Sequence, residues 1–312
     1  MILNRPRTII ILSTLLVFAT APFWTSLYIV NLFILIFLYM SFASMWNLLA
    51  GYSGLVSMGQ QMFIGLGGYT VAVLCMYYKA PLLLSIVSGG LMSGVLSILI
   101  SLPIFRMKGV YFTIGTWIIA EILAISFSNW RYVRYGMGIF IQPAEKFNMT
   151  TVYFGALIIC IGSFALVYFI IRSDLGLGLM AIRDDEVASE AIGINIFRCK
   201  FICFLISALV FGITGGVLYL NNIFIQPFEA FGIGWAVKLL FIVIVGGLGT
   251  MEGPIIGTLI YVLFQQFLSE YIGFNLIILG GITIIIIIFA PKGIVGILQS
   301  KFGLVLFPIH RQ

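Results

Sequence analysis

Charge is what this sequence has least of. Only 8% of its 312 residues are Asp, Glu, Lys or Arg, against roughly a quarter in an ordinary soluble domain. So small a fraction does not clothe a water-facing exterior of this size, which excludes a cytosolic enzyme, a disordered chain and a free nucleic-acid-binding module. Histidine occurs once, as His310 in the tail, where it is read as solvated. Cysteine occurs four times, at Cys75, Cys160, Cys199 and Cys203, always in or beside apolar blocks. That is no secreted disulfide framework, and although Cys199 and Cys203 stand one helical turn apart, no His or further Cys completes a metal site. The sequence has no Gly-x-x-x-x-Gly-Lys-Ser/Thr phosphate loop, no His-Glu-x-x-His and no Gly-x-Ser-x-Gly elbow. It therefore offers no ATPase site, no catalytic residues, no metal site and no cofactor-binding site.

What fills the chain instead is apolar. Hydrophobic residues make up 62%, aromatics 15%, and the mean hydropathy is +1.19. About 20 apolar residues in a helix cross a hydrocarbon core of roughly 30 Å. Ten stretches qualify, at about 8–24, 27–50, 62–78, 81–104, 109–128, 151–171, 199–220, 235–250, 254–270 and 274–290. They are too long and too continuously apolar for barrel strands. The expected fold is all-α, a polytopic integral membrane bundle of about ten transmembrane helices (8–10), in one domain over 1–312. The N-terminal stretch has a signal-like start in Arg5 and Arg7, but Pro22 follows its best cleavage site and a second apolar block comes at once, so it reads as an uncleaved span. Asn148-Met149-Thr150 matches a glycosylation sequon.

The basic excess, a net charge of +6, forms no Lys/Arg run and so reads as a topology signal rather than a nucleic-acid footprint. Ten spans put both termini on one side, with eleven of the sixteen cations: Arg5, Arg7, Arg106, Lys108, Arg172, Arg183, Arg198, Lys200, Lys292, Lys301 and Arg311. Lys79, Arg131, Arg134, Lys146 and Lys238 fall on the other. The termini are expected in the cytoplasm.

Two glycine-rich interruptions look related. Gly51-Tyr-Ser-Gly54 leads through Gly59 and Gln60 into one apolar block, and Gly246-Gly247-Leu-Gly249 leads through Gly253 and Pro254 into another. Paired interruptions in two halves point to discontinuous helices lining a translocation path, or to close packing through small residues, or both. Asn47, Ser53, Ser57, Gln60 and Thr113 are candidates to line such a path or to bond between helices. Glu121 lies within the span 109–128, where a charge costs roughly 2.5–3.5 kcal/mol at the bilayer centre. It is expected to face the bundle, a water-filled path or a partner such as Lys238, to carry a proton, or else to reach the outer interface.

Residues 172–200 are the one hydrophilic loop, with Arg172, Asp174, Arg183, Asp184, Asp185, Glu186, Glu190, Arg198 and Lys200. Leu179 to Ala191 lacks Pro and Gly and predicts a helix, acidic at Asp184–Glu186 and apolar at Val187, Ala188, Ala191 and Ile192. Gly193 suits a left-handed stop and Asn195 a cap for the next helix. A short helix with a small-residue apolar face suits docking of another protein.

This loop, from Gly178 to Asn195, resembles the coupling loop of branched-chain amino acid ABC-transporter permeases, the LivH/LivM family, and the LivM type within it. Four further pieces agree in order: Asn47–Gln60, Lys108–Thr116 followed by Glu121, Val245–Pro254, and Ala290-Pro-Lys-Gly293. Together they span residues 47 to 296. The general importer pattern of Glu-Ala-Ala then Gly is departed from at Ile192, which stands where a second Ala is common. The resemblance implies a permease subunit that is not an enzyme, in a bacterial or archaeal cytoplasmic membrane, importing Leu, Ile or Val. Relatives on this scaffold also carry other amino acids, amides and urea. It implies two ATP-binding-cassette subunits, which hold the ATP, a second LivH-like permease, and an extracytoplasmic binding protein. Arg183, Asp184, Asp185, Glu186, Ala188, Glu190, Ala191 and Gly193 would then couple to the ATPase. A secondary transporter is the rival, and with Glu121 as the only clear mid-span acid it is disfavoured.

Overall fold

The computed structural model describes residues 17–141, 148–268, 275–290 and 293–302. Helix α1 (Leu27–Asn47) ends in a wider π-turn, Leu48–Tyr52, and is followed by α2 (Gln61–Tyr77), α3 (Leu82–Ile104), α4 (Val110–Ser128) and α5 (Met149–Arg172). The hydrophilic loop contains α6 (Asp174–Asp184) and α7 (Glu186–Ala191), before the long α8 (Ile196–Asn222). A one-turn α9 (Pro227–Ala230), then α10 (Gly234–Gly246), α11 (Gly253–Leu268), α12 (Asn275–Phe289) and α13 (Gly293–Phe302) complete the order. Strands β1 (Ile139–Phe140) and β2 (Phe224–Ile225) form one small antiparallel pair.

Among the described residues, seven helices are long and apolar enough to cross a membrane, and α2 and Gly253–Phe267 are shorter apolar helices. The chain is a multi-pass membrane protein. Nine of the ten predicted stretches coincide with helices. The stretch at 8–24 lies mostly outside the described residues, as do Arg5, Arg7, Lys146, Lys292, His310 and Arg311.

Helix α8 is the centre. It packs on α1, α2, α3 and α5, and its small residues permit backbone contact where lipid offers no hydrophobic drive. A Cβ on Gly67 of α2 would overlap the Gly212 carbonyl, and one on Gly215 would overlap the Ile64 carbonyl. Helices α3, α5 and α12 lie outside, with exposed faces such as Leu83, Leu91 and Leu99, or Ile158, Ile161 and Phe169, or Ile284 and Ile288. These faces are apolar because lipid is their solvent. The β pair, Ile139 opposite Ile225, holds the loop after α4 to the end of α8, at the opposite end of α8 from the hydrophilic loop.

Candidate functional site: a hub of broken helices under the hydrophilic loop

The first interruption is a true break. After the π-turn the chain runs without helix to Gln60, with Gly54 at φ +71°. Backbone groups without helical partners must be satisfied inside the protein when no water is near, and here side chains do it. Ser53 Oγ donates to the Leu49 carbonyl at 2.7 Å, Trp46 Nε1 to Ser57 O at 3.0 Å, and Thr113 Oγ1 to Val56 O at 2.7 Å. Gly59 N donates to Ser57 Oγ at 3.3 Å.

The second break begins where α10 ends at Gly246. Gly247 and Gly249 take φ +135° and +75°. Thr250 Oγ1 donates to Gly247 O at 2.8 Å and accepts from Gly253 N at 3.0 Å, and Pro254 then stands in the first turn of α11. Gly246, Gly253 and Gly257 let α10 and α11 touch: a Cβ on Gly246 would overlap the Gly253 carbonyl.

The two breaks are joined to each other. Asn47 Oδ1 accepts from Gly249 N and Asn47 Nδ2 donates to Thr250 O, both at 2.8 Å. A Cβ on Gly51 would overlap Asn47 Oδ1 and come within 2.5 Å of Gly249 N. The Lys108–Thr116 and Ala290–Gly293 motifs arrive at the same place. A Cβ on Gly59 would overlap the Thr116 carbonyl, and one on Gly293 would lie 2.6 Å from Gly247 Cα.

The hydrophilic loop closes over this hub, with a correction. The predicted single helix 179–191 is two helices meeting at Asp185, whose φ −155°, ψ 113° is extended. The first begins earlier, at Asp174, across Gly176 and Gly178. Asp185 wins the competition with helix continuation because its carboxylate caps the second helix, accepting from Val187 N at 2.9 Å and Ala188 N at 3.0 Å. The stop at Gly193 is as expected: φ is +88°, Gly193 N donates to Glu190 O and Ile194 N to Ser189 O, a Schellman pair. Asn195 caps α8 by accepting from Arg198 N at 2.9 Å. Lys200 pairs with Glu186 at 2.9 Å and ties α7 to α8. Val187, Ala188, Ala191 and Ile192 are all exposed, as are Asp184 and Glu190. Arg183 reaches inward and donates to Gly51 O at 2.9 Å.

The path candidates divide. Asn47, Ser53 and Ser57 are buried and spend their polar groups on the breaks, and Thr113 does the same. Gln60 is buried with neither amide atom bonded. Glu121 is exposed on α4. Of the alternatives for Glu121, a pair with Lys238 is not formed: Lys238 Nζ lies 4.5 Å above the Trp235 ring. Sequence reasoning missed Thr250, which staples the second break, although a Thr three residues before Gly253 is a visible capping signal.

A family model described as branched-chain amino acid transport system / permease component matches residues 28–290. The chain belongs to this family. It is 26% identical, over 94% of its length and 76% of the relative's, to the high-affinity branched-chain amino acid transport system permease protein LivM of Escherichia coli K12. It is 28% identical to the permease protein BraD of Pseudomonas aeruginosa over 43% of each chain, and 28% identical to LivH of E. coli K12 over 42% of this chain and 43% of that one. No solved structure matches it. The two interruptions of the hub, between residues 47 and 254, thus lie inside the matched region.

Proposed function

We propose that this chain is the transmembrane permease subunit of an ATP-binding-cassette importer for branched-chain amino acids. The observation that carries this is the loop 172–200: a capped, stopped helix with Val187, Ala188, Ala191 and Ile192 exposed, seated directly on two broken helices. An exposed apolar knob on this hydrophilic loop suits docking of an ATPase, and its seat on the breaks suits conversion of that docking into movement of the spans.

Two ATP-binding-cassette subunits would hold the ATP, so this chain needs no cofactor and is not an enzyme. A second, LivH-like permease would complete the path and an extracytoplasmic binding protein would deliver Leu, Ile or Val. The loop end carries Arg106, Lys108, Arg172, Arg183, Arg198 and Lys200, and the other end Lys79, Arg131, Arg134 and Lys238. This balance supports a loop, and both termini, in the cytoplasm of a bacterial or archaeal cell.

Helix α4 is the best candidate to face the second permease. The exposed faces of α3, α5 and α12 carry no mid-span charge, whereas that of α4 carries Glu121 between Ile114, Trp117, Ile118, Ile122 and Ile125. A carboxylate facing lipid at that depth is costly; one facing a watery path is not. Gln60, with its amide unspent, is the other path candidate.

The test is gentle purification from native membranes and mass spectrometry of bound proteins, followed by uptake in liposomes. Stoichiometric ATP-binding-cassette subunits and a second permease, with ATP-dependent uptake of Leu, Ile or Val, are expected. Recovery of this chain alone, with uptake driven by an ion gradient, would overturn the proposal. Uptake of another amino acid, an amide or urea by the full complex would keep the importer and correct the substrate.

A further inference from the structure

Arg183 belongs to the loop by sequence and to the hub by contact. It stands in the last turn of α6, and all three of its guanidinium nitrogens are engaged within the chain. Asp184 Oδ1 accepts from Nε at 3.1 Å and from Nη2 at 2.9 Å, which fixes the plane of the fork and aims Nη1 at the Gly51 carbonyl, 2.9 Å away. The stem lies on Gly54, where a Cβ would stand 3.3 Å from Arg183 Cγ and 3.4 Å from its Cα. The same Nη1 stands 3.7 Å from where a Cβ would be on Gly249, in the second break.

These contacts have a physical logic. Unwinding after Tyr52 takes from the Gly51 carbonyl the helical donor it would otherwise have, and a cation is favoured where the negative ends of two helices, the π-turn and α10, converge. Asn47 then carries the link from the first break to the second through Gly249 N and Thr250 O. A side chain with each guanidinium nitrogen bonded within its own chain is well placed to pull on what it holds.

We propose that Arg183 is a positioning residue that transmits displacement of the docking loop to both helix breaks at once, with Asn47 passing it from the first break to the second. This rests on reading the loop as the ATPase docking site. Moving the loop moves the Gly51 carbonyl; Gly51 and Gly249 are in backbone contact, so the two breaks shift as one body.

Two measurements test this, and the first needs no partner. Amide hydrogen exchange of the chain in lipid nanodiscs reads Leu55, bonded to Leu49 O, and Gly249, bonded to Asn47. Arg183→Gln is expected to raise exchange at both by at least tenfold, and Arg198→Gln, an exposed cation of the same loop, at neither. A rise confined to residues 49–56 would overturn the link. The second uses the assembled transporter in proteoliposomes. Arg183→Gln is expected to retain the ATPase subunits and hydrolysis within about twofold while uptake per ATP falls at least tenfold, and Arg183→Lys, which keeps the cation but not the planar fork, to fall about threefold. Loss of the ATPase subunits in Arg183→Gln, or an unchanged uptake per ATP, would overturn the proposal. Should Arg183→Gln fail to accumulate, Arg183→Lys carries both measurements, and wild-type values there would overturn it. A wild-type chain that binds no ATPase would instead count against the importer reading, and the exchange experiment would still decide whether Arg183 joins the breaks.

Discussion

Nothing lies within 4 Å of where a Cβ on Gly193 would stand, so its φ of +88° is the whole reason for glycine there. Space is not the constraint; backbone conformation is. Gly193→Val is therefore expected to cost the loop about 1–2 kcal/mol and to lower ATP-coupled uptake with normal membrane levels, whereas Gly193→Asn, which tolerates the left-handed region, should stay near wild type. Uptake and membrane abundance of the two variants check this. Gly51 is the opposite case, a position fixed by crowding against Asn47 and Gly249. Asn47 carries two backbone partners, and Asn47→Ala leaves both unpaired at about 1–3 kcal/mol each. A lower melting temperature in detergent is expected, with Asn47→Asp intermediate because it keeps the acceptor for Gly249 N.

Among elements, what was legible in the sequence is what is local. The Gly193 stop and the Asn195 cap depend on neighbours within three or four residues, and both formed as read. The corner at Asp185 is also local, yet it was hidden because Leu179–Ala191 has good helix formers throughout and Asp suits either a cap or a helix's solvated side. Of Asn47 and Ser53, sequence showed polarity in an apolar setting but not its use, since the partners of Asn47 lie some 200 residues away. The paired glycine breaks were visible; that they touch was not. Helix α4 carries the sharpest expectation at this scale. Glu121→Leu should reduce uptake at least tenfold with the chain still inserted, and a cysteine at Trp117, one turn away on the same exposed face, should react with a charged thiol reagent while one at Leu91 on α3 should not. Equal reactivity at the two sites would return Glu121 to the lipid interface. Glu145, a useful comparison for Glu121→Leu in an external loop, lies outside the described residues.

At the scale of the whole molecule, motifs scattered from Asn47 to Gly293 assemble at one end of the bundle, beneath α6 and α7. If that end is where energy enters, the exposed face of α7 should decide partner binding while leaving the hub intact. Val187→Asp is expected to abolish co-purification of ATP-binding-cassette subunits without changing the melting temperature, because Val187 is three-quarters exposed and packs on little; retained subunits would move the docking site elsewhere. The opposite end is pinned. The strand pair of Ile139 with Ile225 and Phe140 with Phe224 stitches the far end of α8 to the segment following α4. Helix α8 has 27 residues, which at ~1.5 Å each makes a rod of about 40 Å. Were α8 to tilt about that stitch by roughly 5°, its loop end would sweep through about 3.5 Å. A tilt too small to disturb the stitched end would thus move the loop end by more than the length of a hydrogen bond.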